Sequence, residues 1–260
     1  MSTDKNTSKM YSGSAEAWSD WIAQGAPQHK YLEKPAMFGK LGDVTGKSVL
    51  CLGCGTGEEA AYIISKRPKN VVGVDIAEGL IKLAEKNVTG VDFHTMDMEK
   101  LTFANNTFDI VYSSLVMHYI KDWLPTLSQV KRVLKPGGRF LFSTHHPVKW
   151  GANTERHGHA LKAVLGFNRP ESNQERCEVY GDYLNLVKIT DTIGDGQFPI
   201  TYYNRPISMM LTDFRRVGFE MVDMMEPKAT DQSKTENPNF WRIHQHIPQF
   251  VIFELQKPFT

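Results

Sequence analysis

The segment Val49-Leu-Cys-Leu-Gly-Cys-Gly-Thr-Gly57 sets three glycines at alternate positions between an apolar run and an amphipathic stretch. Gly53, Gly55 and Gly57 let a ligand lie against the backbone, where any side chain would obstruct it. The start of the following helix offers unpaired N–H groups to an anion such as an amino-acid carboxylate. A turn without a ligand is the plainer alternative for this loop taken alone. Asp75 weighs against that alternative, because it ends the next apolar run, Val71-Val-Gly-Val-Asp75. A carboxylate there accepts hydrogen bonds from both hydroxyls of a ribose. Gly53, Cys54 and Gly55 with Asp75 therefore point to a nucleoside-type ligand. The dinucleotide fingerprint requires Gly or Ala where this chain has Glu58, so a nicotinamide dinucleotide ranks second.

Such a site needs a parallel sheet with crossover helices, and the pattern of 48–138 supplies one. Strands are expected at Ser48–Leu52, Val71–Asp75, Val91–His94, Phe108–Tyr112 and Arg139–Thr144. Between them lie helices over Glu58–Lys66, around Leu80–Ala84, and over Trp123–Leu134, the last stopped by Pro136-Gly-Gly138. A polar stretch at about 146–205 is too long for a plain connection and reads as an insertion, functional or partly helical. A helix over Pro206–Val217, a strand at Phe219–Met225 and a closing strand at Gln249–Leu255 follow. Residues 1–12 read as mobile. Ala15, Trp18, Trp21 and Ile22 recur at helical spacing.

In this order the motifs resemble the class I S-adenosylmethionine (SAM) dependent methyltransferase superfamily, in its small-molecule branch. The resemblance spans about residues 46–145. It is carried by Gly46-Lys-Ser-Val-Leu-Cys-Leu-Gly-Cys-Gly-Thr-Gly57, Val72-Gly-Val-Asp-Ile76, Asp97-Met98, Phe103 to Asp109, and Arg132-Val-Leu-Lys-Pro-Gly-Gly138. It implies an α/β fold of three layers, with a doubly wound seven-stranded sheet, mostly parallel, and an antiparallel last strand. Residues 1–45 would then be an N-terminal helical lid, and 46–260 the SAM-binding domain with its insertion. The resemblance also implies that Asp75 holds the ribose and Ile76 packs on adenine. Asp97 would accept the adenine amino group, Met98 would present its backbone N–H to the purine, and Ser113 would meet the methionine portion. The family commonly has an acid two places before the first loop glycine; this chain has Cys51. That removes a negative charge near the expected sulfonium and amino groups. It also creates Cys51-x-x-Cys54, a redox spacing for which two small packing residues are the simpler account.

Ligands of open α/β sheets sit beyond the carboxyl ends of the strands, which brings His118, His145 and His146 toward the transferred methyl. Each imidazole is able to take a proton from an acceptor, and each has packing as its competing role. Tyr11, Trp18 and Trp21 suit a lid over a sulfonium, or simply dock their helix. Tyr202, Tyr203 and Arg205 close the insertion and either cap an acceptor pocket or pack there. His157-x-His159 and His244-x-His246 lack a third ligand type, so no metal is assigned.

The balance of 30 basic and 29 acidic residues offers no polyanion-binding surface, so the expected partner is a small-molecule acceptor rather than nucleic acid. No apolar run approaches the roughly 20 residues of a membrane span. The polar N-terminus lacks the apolar segment of a secretory signal, and three cysteines make no disulfide framework; both suit the cytoplasm. The expected activity is methyl transfer from SAM to a small molecule. An NAD(P)-dependent oxidoreductase and a SAM-binding regulatory protein without catalysis are the alternatives.

Overall fold

The apolar runs pair as the period-two pattern requires. In the computed structural model, which describes residues 3–157, 160–169, 177–193 and 196–259, β1 (Ser48–Leu52) lies beside β2 (Asn70–Asp75), and β2 beside β3 (Val91–Thr95). On the other side of β1 come β4 (Phe108–Ser113) and β5 (Leu134–His145), and all four pairings are parallel. The insertion carries β6 (Asn153–His157) with β7 (Ala160–Val164), β8 (Gly166–Asn168) with β9 (Glu178–Tyr180), and the hairpin β10 (Val187–Ile193) with β11 (Phe198–Asn204). Two more strands, β12 (Glu220–Met225) and β13 (Phe250–Gln256), complete the main sheet. Its order is β12-β13-β5-β4-β1-β2-β3, with β13 antiparallel to both neighbours.

Alternation along each strand feeds two cores. In β1, Leu50 and Leu52 join one apolar cluster while Val49 and Cys51 join the other. Helices α1 (Lys5–Gly13) and α2 (Ala15–Ala23), then α3 (Lys34–Leu41), precede the sheet; α4 (Glu58–Ile64), α5 (Glu78–Asn87) and α6 (Trp123–Val133) connect its strands. Met37 and Leu41 of α3, Ala60 and Ile63 of α4, and Ile81 and Ala84 of α5 cover the Cys51 face. The opposite face takes Trp123, Leu127 and Val130 of α6. After the short α7 (Pro147–Trp150) comes α8 (Ile207–Val217), which adds Met210 and Phe214 to that face. The result is the expected three-layer seven-stranded sheet. The short helices α9 (Asp231–Glu236) and α10 (Pro238–His244) occupy a stretch read as a loop.

One expectation is corrected. Residues 5–13 are helical rather than mobile: Asp4 Oδ1 accepts from the N–H groups of Asn6 and Thr7, which starts the helix. Thr7 Oγ then accepts from Thr201 N at 2.9 Å, and Ser12 Oγ from Gly79 N at 3.1 Å, so tertiary contacts rather than apolar periodicity hold α1. The described part of the insertion is mainly strands, with α7 its only helix among the described residues.

Candidate active site

The sheet reverses its winding between β1 and β4, and a cavity of about 590 Å³ opens beyond their carboxyl ends. Gly53, Cys54, Gly55, Asp75, Ile76 and Met98 line one side of it. Gly53 has φ +68°, and a Cβ there would come within 2.4 Å of the Val116 side chain. The position therefore admits only glycine. Gly53 N and Cys54 N both donate to Val74 O, at 2.8 and 2.9 Å, folding the loop back over β2. Asp75 Oδ2 accepts from Gly55 N at 3.0 Å and Oδ1 from Ala77 N at 2.9 Å. Burial raises the Asp75 pKa, while these backbone donors pull it the other way.

A second wall is aromatic. His118 and His145 stack with centroids 3.5 Å apart and planes 7° apart, and Trp150 continues the pile 3.7 Å from His145 at 4°. Tyr202 stands edge-on to His145 at 5.0 Å. Burial keeps both imidazoles neutral, lowering His118 to about 3 and His145 well below the ordinary value. The Nδ1 atom of each is buried without a hydrogen-bond partner among the described residues. Above the cavity, Tyr11 shares a 2.6 Å hydrogen bond with Tyr119, and Trp18 packs edge-on to Tyr11 and Phe198.

Five expected site residues do not reach the wall. Asp97 Oδ1 accepts from Glu99 N at 2.9 Å, and Ser113 Oγ donates to Leu52 O at 2.9 Å, tying β4 to β1. His146 caps α7 by accepting from Val148 N, while its Nε2 meets Glu226 Oε1 at 2.7 Å. Tyr203 follows cavity-facing Tyr202 on β11, and successive strand residues face opposite sides. Arg205 is buried against Asp213 Oδ2 at 2.7 Å and Lys121 O at 2.6 Å, with its guanidinium over the Trp123 ring. Of the two histidine pairs, His244 is engaged with Ile247 O, and His159 lies outside the described residues. Among the described residues no group of three metal-ligating side chains gathers. Burial pushes the thiols of Cys51 and Cys54 up, so both stay protonated.

The structure adds wall residues that the sequence reading missed: His29, Lys34, Glu58, Glu59, Tyr119 and Trp150. Behind them Glu33 is fully buried, accepting at Oε1 from Ser114 Oγ at 2.8 Å and from Ser143 Oγ at 2.5 Å. Desolvation pushes its carboxyl up to about 7. The available signal was Glu33-Lys-Pro35, an acid in a segment whose only evident punctuation is proline.

Residues 50–142 match the family model of a methyltransferase domain. A crystal structure of an S-adenosylmethionine-dependent methyltransferase from Mesorhizobium loti aligns with TM-score 0.68 and 26% identity, over 90% of this chain and 99% of that one. The matched domain and the fold are those of class I SAM-dependent methyltransferases. The chain is an enzyme, and SAM is its cofactor. An uncharacterized protein of Haemophilus influenzae is 25% identical over 88% of each chain. The ubiquinone/menaquinone biosynthesis C-methyltransferase of Desulfotalea psychrophila is 38% identical over 42% of this chain and 46% of its own length. That match spans less than half of the relative.

The site of this methyltransferase fits the cofactor by its own chemistry. A carboxylate flanked by apolar Ile76, Ala77, Leu80 and Met98 suits a nucleoside, and the glycine backbone leaves room for the chain that extends from it. No helix among the described residues is long and apolar enough to cross a membrane.

Proposed function

We propose that this methyltransferase transfers a methyl group from SAM to a small-molecule acceptor that lies against the His118–His145–Trp150 stack. The observation that carries the reading is the continuity of one cavity, from Asp75 and the glycine loop to that stack. Its walls come from the sheet, α1, α2 and the β10–β11 hairpin, which favours an enclosed small ligand over a polymer. The D. psychrophila relative, named for ubiquinone/menaquinone biosynthesis, supports an acceptor of that size.

SAM supplies a methyl group already activated on a sulfonium. Asp75 would hold the ribose, and the Gly53–Gly55 backbone would bear on the rest of the cofactor. Ile76 and Met98 would enclose the base. His118 and His145, held neutral in the cavity wall, suit a hydrogen bond to an acceptor O–H or N–H. Their low basicity favours orienting that group over removing its proton well before transfer. Alignment of the two reactants supplies much of the acceleration in such a reaction. Residues 1–45, through Tyr11 and Trp18, would serve as the lid that excludes water.

Incubation with methyl-labelled SAM and a panel of small hydroxyl, amine and carbon-acid acceptors tests the reading. Label should pass to members of at least one class. S-adenosylhomocysteine binding with no transfer to any member would favour a SAM-binding protein without catalysis.

A further inference from the structure

The Cys51 substitution leaves a charge to be found. Its side chain is buried in β1 among Val49, Ile63 and Tyr112, and its thiol is protonated, so β1 offers the cavity no anion. The wall beside the glycine loop carries His29 and Lys34 from the segment before β1, and Glu58 and Glu59 from α4. Burial holds His29 neutral, lowering it to about 4. Lys34 Nζ is hydrogen-bonded to Glu58 and stands 3.5 Å from Glu59 Oε1. Two carboxylates thus face one ammonium, and Glu59 holds the weaker share of it. Glu59 also acts electrostatically on Cys51, Cys54, Glu33 and Tyr112. That places its charge over the carboxyl ends of β1 and β4, where a β1 acid would act.

We propose that Glu59 is the carboxylate that receives the ammonium of the amino-acid end of SAM, an acid of α4 standing in for one of β1. The inference rests on the reading of this cavity as the SAM site. It also accounts for the residue at 51. An aspartate there would add, within an apolar cluster, a carboxylate that the charge of Glu59 already reaches, with Lys34 already shared between Glu58 and Glu59. Like charges so placed raise one another's pKa and cost stability. A neutral thiol of small volume avoids that repulsion.

The test is calorimetry with two probes, S-adenosylhomocysteine and 5′-methylthioadenosine, which lacks the amino-acid end. Glu59→Gln should bind S-adenosylhomocysteine about tenfold or more weakly, yet keep its 5′-methylthioadenosine affinity within about twofold. Adding Cys51→Asp to Glu59→Gln should recover most of the loss. The two-probe contrast decides alone if that double variant does not fold. Unchanged S-adenosylhomocysteine affinity, or equal loss for both probes, overturns the assignment. Wild-type protein that binds neither probe overturns the cofactor reading instead, a different failure from intact binding in Glu59→Gln.

Discussion

Asp75 serves two ends at once. Its oxygens accept from Gly55 N and Ala77 N, so the group proposed to hold the ribose also fixes the loop that the cofactor lies on. Asp75→Asn keeps the shape but removes the charge and one acceptor. Calorimetry should show S-adenosylhomocysteine affinity lower by about tenfold or more, since charge-assisted bonds are roughly twice as strong as neutral ones. An unchanged affinity would remove Asp75 from the ribose. The histidines carry a sharper pH statement. A lone surface imidazole would lose activity on protonation near 6.5. His118 is lowered to about 3 by burial, so its neutral form persists through pH 5. If His118 orients the acceptor, kcat should not fall through its titration between pH 8 and 5, whereas His118→Gln should lower kcat with little change in S-adenosylhomocysteine affinity. An acid limb near 6.5 that vanishes in His118→Gln would contradict this.

At the scale of elements, the sheet was legible and the roof was not. Short apolar runs ending in Gly53 and Asp75 could scarcely be anything but buried parallel strands, because each feeds both cores. The hairpin β10–β11 was hidden by threonine, lysine and aspartate in Val187–Ile193, although the apolar residues there alternate. Helix α1 was hidden for a different reason: its sequence is polar, and contacts distant in the chain hold it. Gly79 is where α5 meets it, and a Cβ there would lie 2.0 Å from Ser12 O. The clash is with backbone, so Gly79→Ala should push α1 off the cavity. Hydrogen exchange should then accelerate across residues 5–23 while β1, β4 and β5 keep their protection. Unaltered exchange in 5–23 would show that α1 is not held in this way. For Asp97, Ser113, His146, Tyr203 and Arg205, chain position told which end of the sheet they occupy, not which neighbour each side chain meets.

For the whole molecule, the buried titratable groups behind and along the cavity set stability against pH with opposite signs. His118 has a folded pKa below its unfolded value of about 6.5, so the unfolded chain takes up the proton first as pH falls. Between pH 7 and 5 that costs the fold about 2 kcal/mol, and His145 acts in the same direction. Glu33 is the reverse case. Its folded pKa of about 7 lies above the unfolded value, so the folded chain holds about half of the proton at pH 7 and nearly all of it at pH 5, while the unfolded chain has released most of it at pH 5 and nearly all at pH 7. Lowering the pH from 7 to 5 therefore returns about 2 kcal/mol to the fold. The contributions of His118 and Glu33 nearly cancel each other, and single variants should separate them. Denaturant unfolding at pH 7 and pH 5 should show Glu33→Gln losing about 2 kcal/mol more than wild type on acidification, and His118→Gln about 2 kcal/mol less. Parallel pH dependence in all three proteins would mean that neither group is held in the state its burial demands. Then His118 would titrate with the solvent, and the orienting role argued for it would fail with the stability argument.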